Sequence, residues 1–100
     1  MPTAQKQVFT LRLTYCAPCG FTQRALNLAT EILAERKLEY FVKDFDLVPG
    51  DSGKFEFEVN GDLVFSKKKE GRHAEPGEIK QLFAGVVENY MAENNIILAE

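Results

Sequence analysis

The apolar residues of this chain first change their spacing at a pair of cysteines. From Val8 to Tyr15 the pattern alternates, with Phe9, Leu11, Leu13 and Tyr15 on one face and Val8, Thr10, Arg12 and Thr14 on the other. This is the period of a strand buried on one side. Beyond Cys16-Ala17-Pro18-Cys19, the residues Phe21, Ala25, Leu28, Ile32 and Leu33 recur at helical spacing, which predicts a helix from about Cys19 to Arg36. A strand that passes into a helix through a Cys-x-x-Cys pair restricts both the fold and the chemistry.

The rest of the chain supplies the other elements. Leu38 to Leu47, with Leu38, Tyr40, Val42 and Phe45 as apolar positions, reads as a second strand, and Pro49 to Gly53 as a loop. Phe55, Phe57 and Val59 alternate with Glu56 and Glu58, and Asn60-Gly61 is the dipeptide of a type I′ hairpin leading to Leu63, Val64 and Phe65. The three phenylalanines of this hairpin read as core rather than as a base-stacking platform. Ser66 to Glu75 is charged and irregular. Pro76 suits a first helical turn, and Ile79, Leu82, Phe83, Val86, Val87, Tyr90 and Met91 form the stripe of a second helix ending near Asn94-Asn95.

One hundred residues suit one compact domain with one core, here 1–100 with a core over about 8–93 and a tail over 94–100. The apolar tail residues Ile96-Ile97-Leu98 are free to pack on the core or into a partner. The element order β-α-β-β-β-α, with a crossover helix between parallel strands and a hairpin after them, is an α/β class with a four-stranded mixed sheet. With a cysteine pair between the first strand and first helix, it is the minimal thioredoxin-like arrangement.

Charge and composition narrow the partners. A net charge of −3 provides no global positive field, so nucleic acid is not expected. No apolar run nears the roughly 18 residues of a membrane span, and Met1 to Gln7 lacks the apolar core of a secretory signal. The expectation is a cytoplasmic protein that engages neither membrane nor nucleic acid. Its expected partners are protein or small thiol and disulfide substrates, with no cofactor, and its oligomeric state is open.

Cys16 and Cys19 are the only cysteines, and a bond between them closes too short a loop to restrain the unfolded chain much. In a reducing compartment such a pair is a redox or metal site rather than a staple. At a helix start, unpaired N–H groups and the helix dipole favour a thiolate. Ala17, Pro18 and Gly20 support this start, because proline fixes φ where no internal N–H is needed. The reading from geometry places Cys16 at the solvent edge as attacker and Cys19 about one turn below as resolver. Exchange then runs through a mixed disulfide.

Other residues have readings of their own. A closed zinc site needs about four ligands, and His73 is the only histidine, so no metal site within one chain is assigned. Zinc or a cluster shared by a dimer, a redox-sensitive protein-binding module, and two incidental core cysteines are the alternatives. His73 reads as a solvated loop residue, and Lys67-Lys68-Lys69 with Arg72 as a solvated basic face. Tyr15 and Phe21, which flank the pair, form a candidate docking surface for partner proteins.

Tyr15-Cys16-Ala17-Pro18-Cys19-Gly20-Phe21 after a strand, Gly53 to Val59, and Phe65-Ser66-Lys67-Lys68-Lys69 together resemble the selenoprotein W-like family, also called the Rdx or SelT/SelW/SelH family. The likeness runs from Val8 to the end of the second helix. It implies a thioredoxin-like fold and an oxidoreductase role linked to antioxidant defence. Selenium-containing members carry selenocysteine at the position of Cys19, so the resemblance makes Cys19 a candidate attacker, against the geometric preference for Cys16. Thioredoxins proper set a cis-proline just before their third strand. Pro49 precedes Phe55 by several residues and has no such assigned place.

Overall fold

Alternation in the first strand and helical spacing after it are realised in the computed structural model, which describes residues 7–97. Met1 to Lys6 of the polar start, and Leu98 of the tail, lie outside the described residues. The elements are β1 (Phe9–Cys16), α1 (Thr22–Leu33), the one-turn helix α2 (Arg36–Glu39), β2 (Val42–Gly50), β3 (Phe55–Val59), β4 (Asp62–Ser66), the one-turn helix α3 (Lys67–Glu70) and α4 (Glu78–Glu93). The sheet order is β2-β1-β3-β4. β1 pairs parallel with β2 and antiparallel with β3, and β3 pairs antiparallel with β4. The mixed four-stranded sheet is therefore the expected one.

Each strand contributes one face to the core. Phe9, Leu11, Leu13 and Tyr15 are buried together with Phe55, Phe57, Val59 and Phe65, and α1 and α4 cover them with Ala25, Leu28, Ile32, Ile79, Phe83 and Val87. Burying a large apolar side chain stabilises by roughly 1.5–3 kcal/mol, so this layer is the main source of folding energy. Edge-to-face ring pairs link it across elements, Phe57 to Phe83 and Phe9 to both Phe83 and Tyr90. The register places Thr10, Arg12, Thr14, Asp44, Asp46, Glu56 and Glu58 on the opposite face.

The hairpin forms as its dipeptide predicts. Asn60 and Gly61 have φ of 52° and 87°, the pair of positive values that a type I′ turn requires. Asn60 also reaches across to β1: its amide donates to the Thr10 carbonyl at 2.8 Å, and its Oδ1 accepts from the Thr10 amide at 2.8 Å.

Four boundaries differ from expectation. The first helix begins at Thr22 rather than Cys19, because Gly20 has φ 81°, a left-handed conformation that no right-handed helix contains. Leu38 and Tyr40 do not belong to β2: Leu38, 4% exposed, anchors α2, and Tyr40 caps it. β2 instead runs on through Pro49 and Gly50. Proline is tolerated there because β2 is an edge strand of the sheet. The charged stretch after β4 contains α3, capped by Ser66, whose Oγ accepts from the Lys69 amide at 3.3 Å. Pro76 precedes α4 by two residues, and left-handed Gly77 takes the capping position. In the tail, Ile96 packs against the core while Ile97 is 93% exposed.

Candidate redox site

The site is built where β1 runs out of sheet. Cys16 is the last residue of β1, and its amide donates to the Lys54 carbonyl at 2.8 Å while the Ala17 amide donates to the Gly50 carbonyl at 3.0 Å. These two bonds tie the end of β1 to the segments on either side. The chain then closes a compact turn. The Gly20 amide donates to the Ala17 carbonyl at 3.0 Å and the Phe21 amide to the Cys16 carbonyl at 3.2 Å. This paired closure around a left-handed glycine is the hydrogen-bond pattern with which helices commonly terminate. Here it stands alone, between a strand and a helix.

Cys16 and Cys19 are joined by a disulfide across this turn, with Cα atoms 5.3 Å apart. Their environments differ in the opposite sense to the one expected. Cys16 is 1% exposed, whereas Cys19 is exposed at the surface. The reason is the late start of α1: Cys16 ends a buried strand and Cys19 rides on the turn, so Cys19 does not lie a helical turn below its partner. The solvent-edge position assigned to Cys16 is therefore corrected to Cys19. Ala17, Pro18 and Gly20 are exposed members of the same turn.

The α1 N-terminus faces this turn without a side-chain cap. Phe21 holds the capping position and makes no capping hydrogen bond, and no acidic residue lies in the first turn. The positive end of the helix is thus not neutralised from its own sequence. Phe21 is half-buried, its ring 6.5 Å from that of Phe55 and 4.9 Å from that of His73, with Lys67 Nζ 5.8 Å from its centroid.

Several side chains stand where the sequence reading did not put them. Tyr15 is 8% exposed and belongs to the core, so it is no docking surface; its alternation with Leu13 points it beneath the helices. His73 is not a solvated loop residue but half-buried against Phe21. Burial first, then the charges of Arg24 and Lys67, hold its imidazole below the ordinary pKa. Arg72 leaves the lysine run and makes a two-pronged ion pair with Glu78, both contacts at 2.8 Å. The Arg72 hydrogen bonds, followed by one from the Glu75 amide, pull the Glu78 carboxyl down to about 2.

Lys67, Gly50 and Lys54, which the sequence reading did not assign to the site, reach it through α3 and the β2–β3 connection. A signal for the turn was present in the chain, since proline at the second and glycine at the fourth position of Ala17-Pro18-Cys19-Gly20 is the preference of a β-turn. Among the described residues, no three His, Cys, Asp or Glu side chains converge as a metal-holding group. No helix among them is long and apolar enough to cross a membrane.

A mixed sheet with a Cys-x-x-Cys disulfide on the turn between its first strand and first long helix defines a thioredoxin-like protein of redox type. The chain belongs to the Rdx family, whose profile matches residues 10–84. It is 44% identical over 57 residues to migration and invasion enhancer 1 of Mus musculus, and 42% identical over 57 residues to its Bos taurus counterpart. In each case the match covers 57% of this chain and 46% of the relative, so the chain spans about half the length of these curated relatives. Among solved structures, a selenoprotein W-related protein from Vibrio cholerae superposes with a TM-score of 0.72 at 25% identity, over 83% of this chain and 99% of that one. A protein from Bordetella parapertussis gives 0.71 at 26%, over 78% and 96%. The resemblance carried by Tyr15–Phe21 and the Ser-Lys-Lys-Lys run thus corresponds to family and fold.

Proposed function

We propose that this protein is a thiol–disulfide oxidoreductase in which Cys19 attacks and Cys16 resolves. The observation that carries the reading is the disulfide with one sulfur-bearing residue exposed and the other buried. In the reduced protein the exposed Cys19 thiolate is favoured by the uncapped α1 N-terminus. It attacks one sulfur of a substrate disulfide. The substrate S–S bond breaks, its other sulfur leaves and takes a proton, and a Cys19–substrate mixed disulfide forms. The Cys16 thiolate then attacks the Cys19 sulfur, the mixed bond breaks, and the second substrate thiol leaves with a proton. Two electrons pass from the cysteine pair to the substrate, and two equivalents of an external thiol, which end joined as a disulfide, return Cys16 and Cys19 to thiols for the next cycle.

On this reading the protein works in a reducing compartment, the cytoplasm, and serves redox homeostasis or antioxidant defence, with protein or small thiol and disulfide substrates. The test is a trapping experiment. Cys16→Ser keeps the attacker and removes the resolver, and so should accumulate mixed disulfides with partners from a cell extract, released by dithiothreitol. Cys19→Ser should accumulate far fewer. Stronger trapping by Cys19→Ser would reverse the assigned roles, equal trapping would erase them, and no trapping by either would remove the oxidoreductase reading.

A further inference from the structure

Beside the cysteine turn, α1 and the segment 73–77 enclose an open groove of about 320 Å³ floored by Leu28, Phe55 and Ile79. Phe21, two residues from Cys19, rests its ring against both Phe55 and His73 of the groove lining. The groove therefore starts one side chain away from the cysteine turn and leads off along α1.

Its charges are ordered along that direction. Arg24 lines the end next to the turn, in the first turn of α1, where Lys67 adds positive charge across Phe21. Glu31 lines the same side seven residues further on, about 10 Å along a helix that rises 1.5 Å per residue. Glu75 lines the facing wall, where its charge acts on Arg72. Among the described residues neither Arg24 nor Glu31 takes part in an ion pair. Two unpaired charges of opposite sign thus stand over an apolar floor.

We infer that this groove is the subsite for the polypeptide next to a substrate's reacting cysteine, and that it selects an acidic residue beside that cysteine and a basic residue about three positions further. A peptide in the polyproline II conformation advances about 3.1 Å per residue and repeats its side-chain direction every three residues, so residues three apart span about the distance from Arg24 to Glu31 and both face α1. The acidic side chain meets Arg24, the basic one meets Glu31, and an apolar or small residue between them lies over Leu28 and Phe55. The inference rests on the oxidoreductase reading and adds to it the class of substrate.

The test uses blocked peptides Cys-Asp-Gly-Gly-Lys and Cys-Lys-Gly-Gly-Asp, each also in reverse order, with the cysteine carried as a 2-thiopyridyl disulfide. Reduced protein converts each to peptide thiol and 2-thiopyridone while its own two thiols become the Cys16–Cys19 disulfide, and the released thiopyridone is followed by absorbance. Every rate is divided by the same protein's rate with uncharged 2,2′-dithiodipyridine. In one chain direction the acidic-proximal peptide should react about five- to tenfold faster than its charge-swapped counterpart, the range two exposed ion pairs supply. Added salt should shrink that preference. The double variant Arg24→Glu with Glu31→Lys should reverse it.

Equal normalised rates in both directions, or a preference that survives the double variant, would overturn the groove inference while leaving the oxidoreductase reading standing. Failure of the reduced protein to consume 2,2′-dithiodipyridine would overturn that reading, and the inference with it.

Discussion

Cys16 and Cys19 share one disulfide but not one environment: Cys16 is 1% exposed at the end of β1, and Cys19 lies at the surface on the turn that follows. Access governs thiol reactivity together with thiolate character. After reduction, iodoacetamide should alkylate Cys19 roughly tenfold or more faster than Cys16, since only Cys19 combines exposure with a nearby positive helix end. Peptide mapping of singly modified protein at early times checks this. Label divided evenly between the two would contradict the asymmetry.

Gly20 holds the turn in a conformation that other residues resist. Its φ is 81°, and no atom beyond Gly20 and its two chain neighbours lies within 4 Å of the place a methyl group would take, so Gly20→Ala meets no packed neighbour and suffers from its backbone alone. The expected loss is about 1 kcal/mol in denaturant unfolding of the oxidised protein. Because the strain sits inside the Cys16–Cys19 turn, the reduction potential of the pair should move as well. A variant unchanged in both would show that the turn relaxes freely.

His73 is held below its ordinary pKa of 6.5 by burial and by Arg24 and Lys67. The folded chain therefore binds a proton less readily than the unfolded chain does, and the stabilisation is complete only above about 6.5. It declines as pH falls from there to the folded-state pKa. Urea unfolding between about pH 7.5 and about pH 5.5 should show this loss, and His73→Gln should flatten it. An unaltered slope in the variant would place the proton uptake elsewhere.

Glu78 gives a second, more acidic window. Its carboxyl, held to about 2 by Arg72 and the Glu75 amide, ionises at a pH where the unfolded group, near 4.5, is still protonated. Stability from this group is present above about 4.5 and lost as pH falls towards about 2. Thermal unfolding of Glu78→Gln should vary less with pH across that window than the parent protein. Arg72→Met should act the same way.

Periodicity was enough for the strands whose two sides differ. Phe55, Phe57 and Val59 against Glu56 and Glu58 left one register open, and Asn60-Gly61 set its turn. Where local rules competed, the outcome depended on contacts distant in sequence. Leu38 and Phe41 could extend a strand by propensity, yet burial under α1 and the sheet draws them into a helical turn and the link that follows it. Helical spacing across Phe21 and Ala25 similarly hid the glycine that stops the helix short of Cys19. That one displacement exchanged the exposure of the two cysteines, so the location of the site was legible while the order of its sulfurs was not. The groove was illegible for another reason: Arg24, Phe55 and His73 are brought together only by tertiary packing.

The open edge of β2 affects how the molecule meets its own copies. A long unpaired strand edge invites another chain to hydrogen-bond along it, the first step of sheet-to-sheet aggregation. Along β2, however, Lys43, Asp44, Asp46 and Pro49 are exposed. An incoming strand would have to desolvate those charges and would find no N–H at the proline. Among the described residues no further strand covers the edge that carries Gly50 to the redox turn, and its charges and proline make it a poor template for an incoming strand.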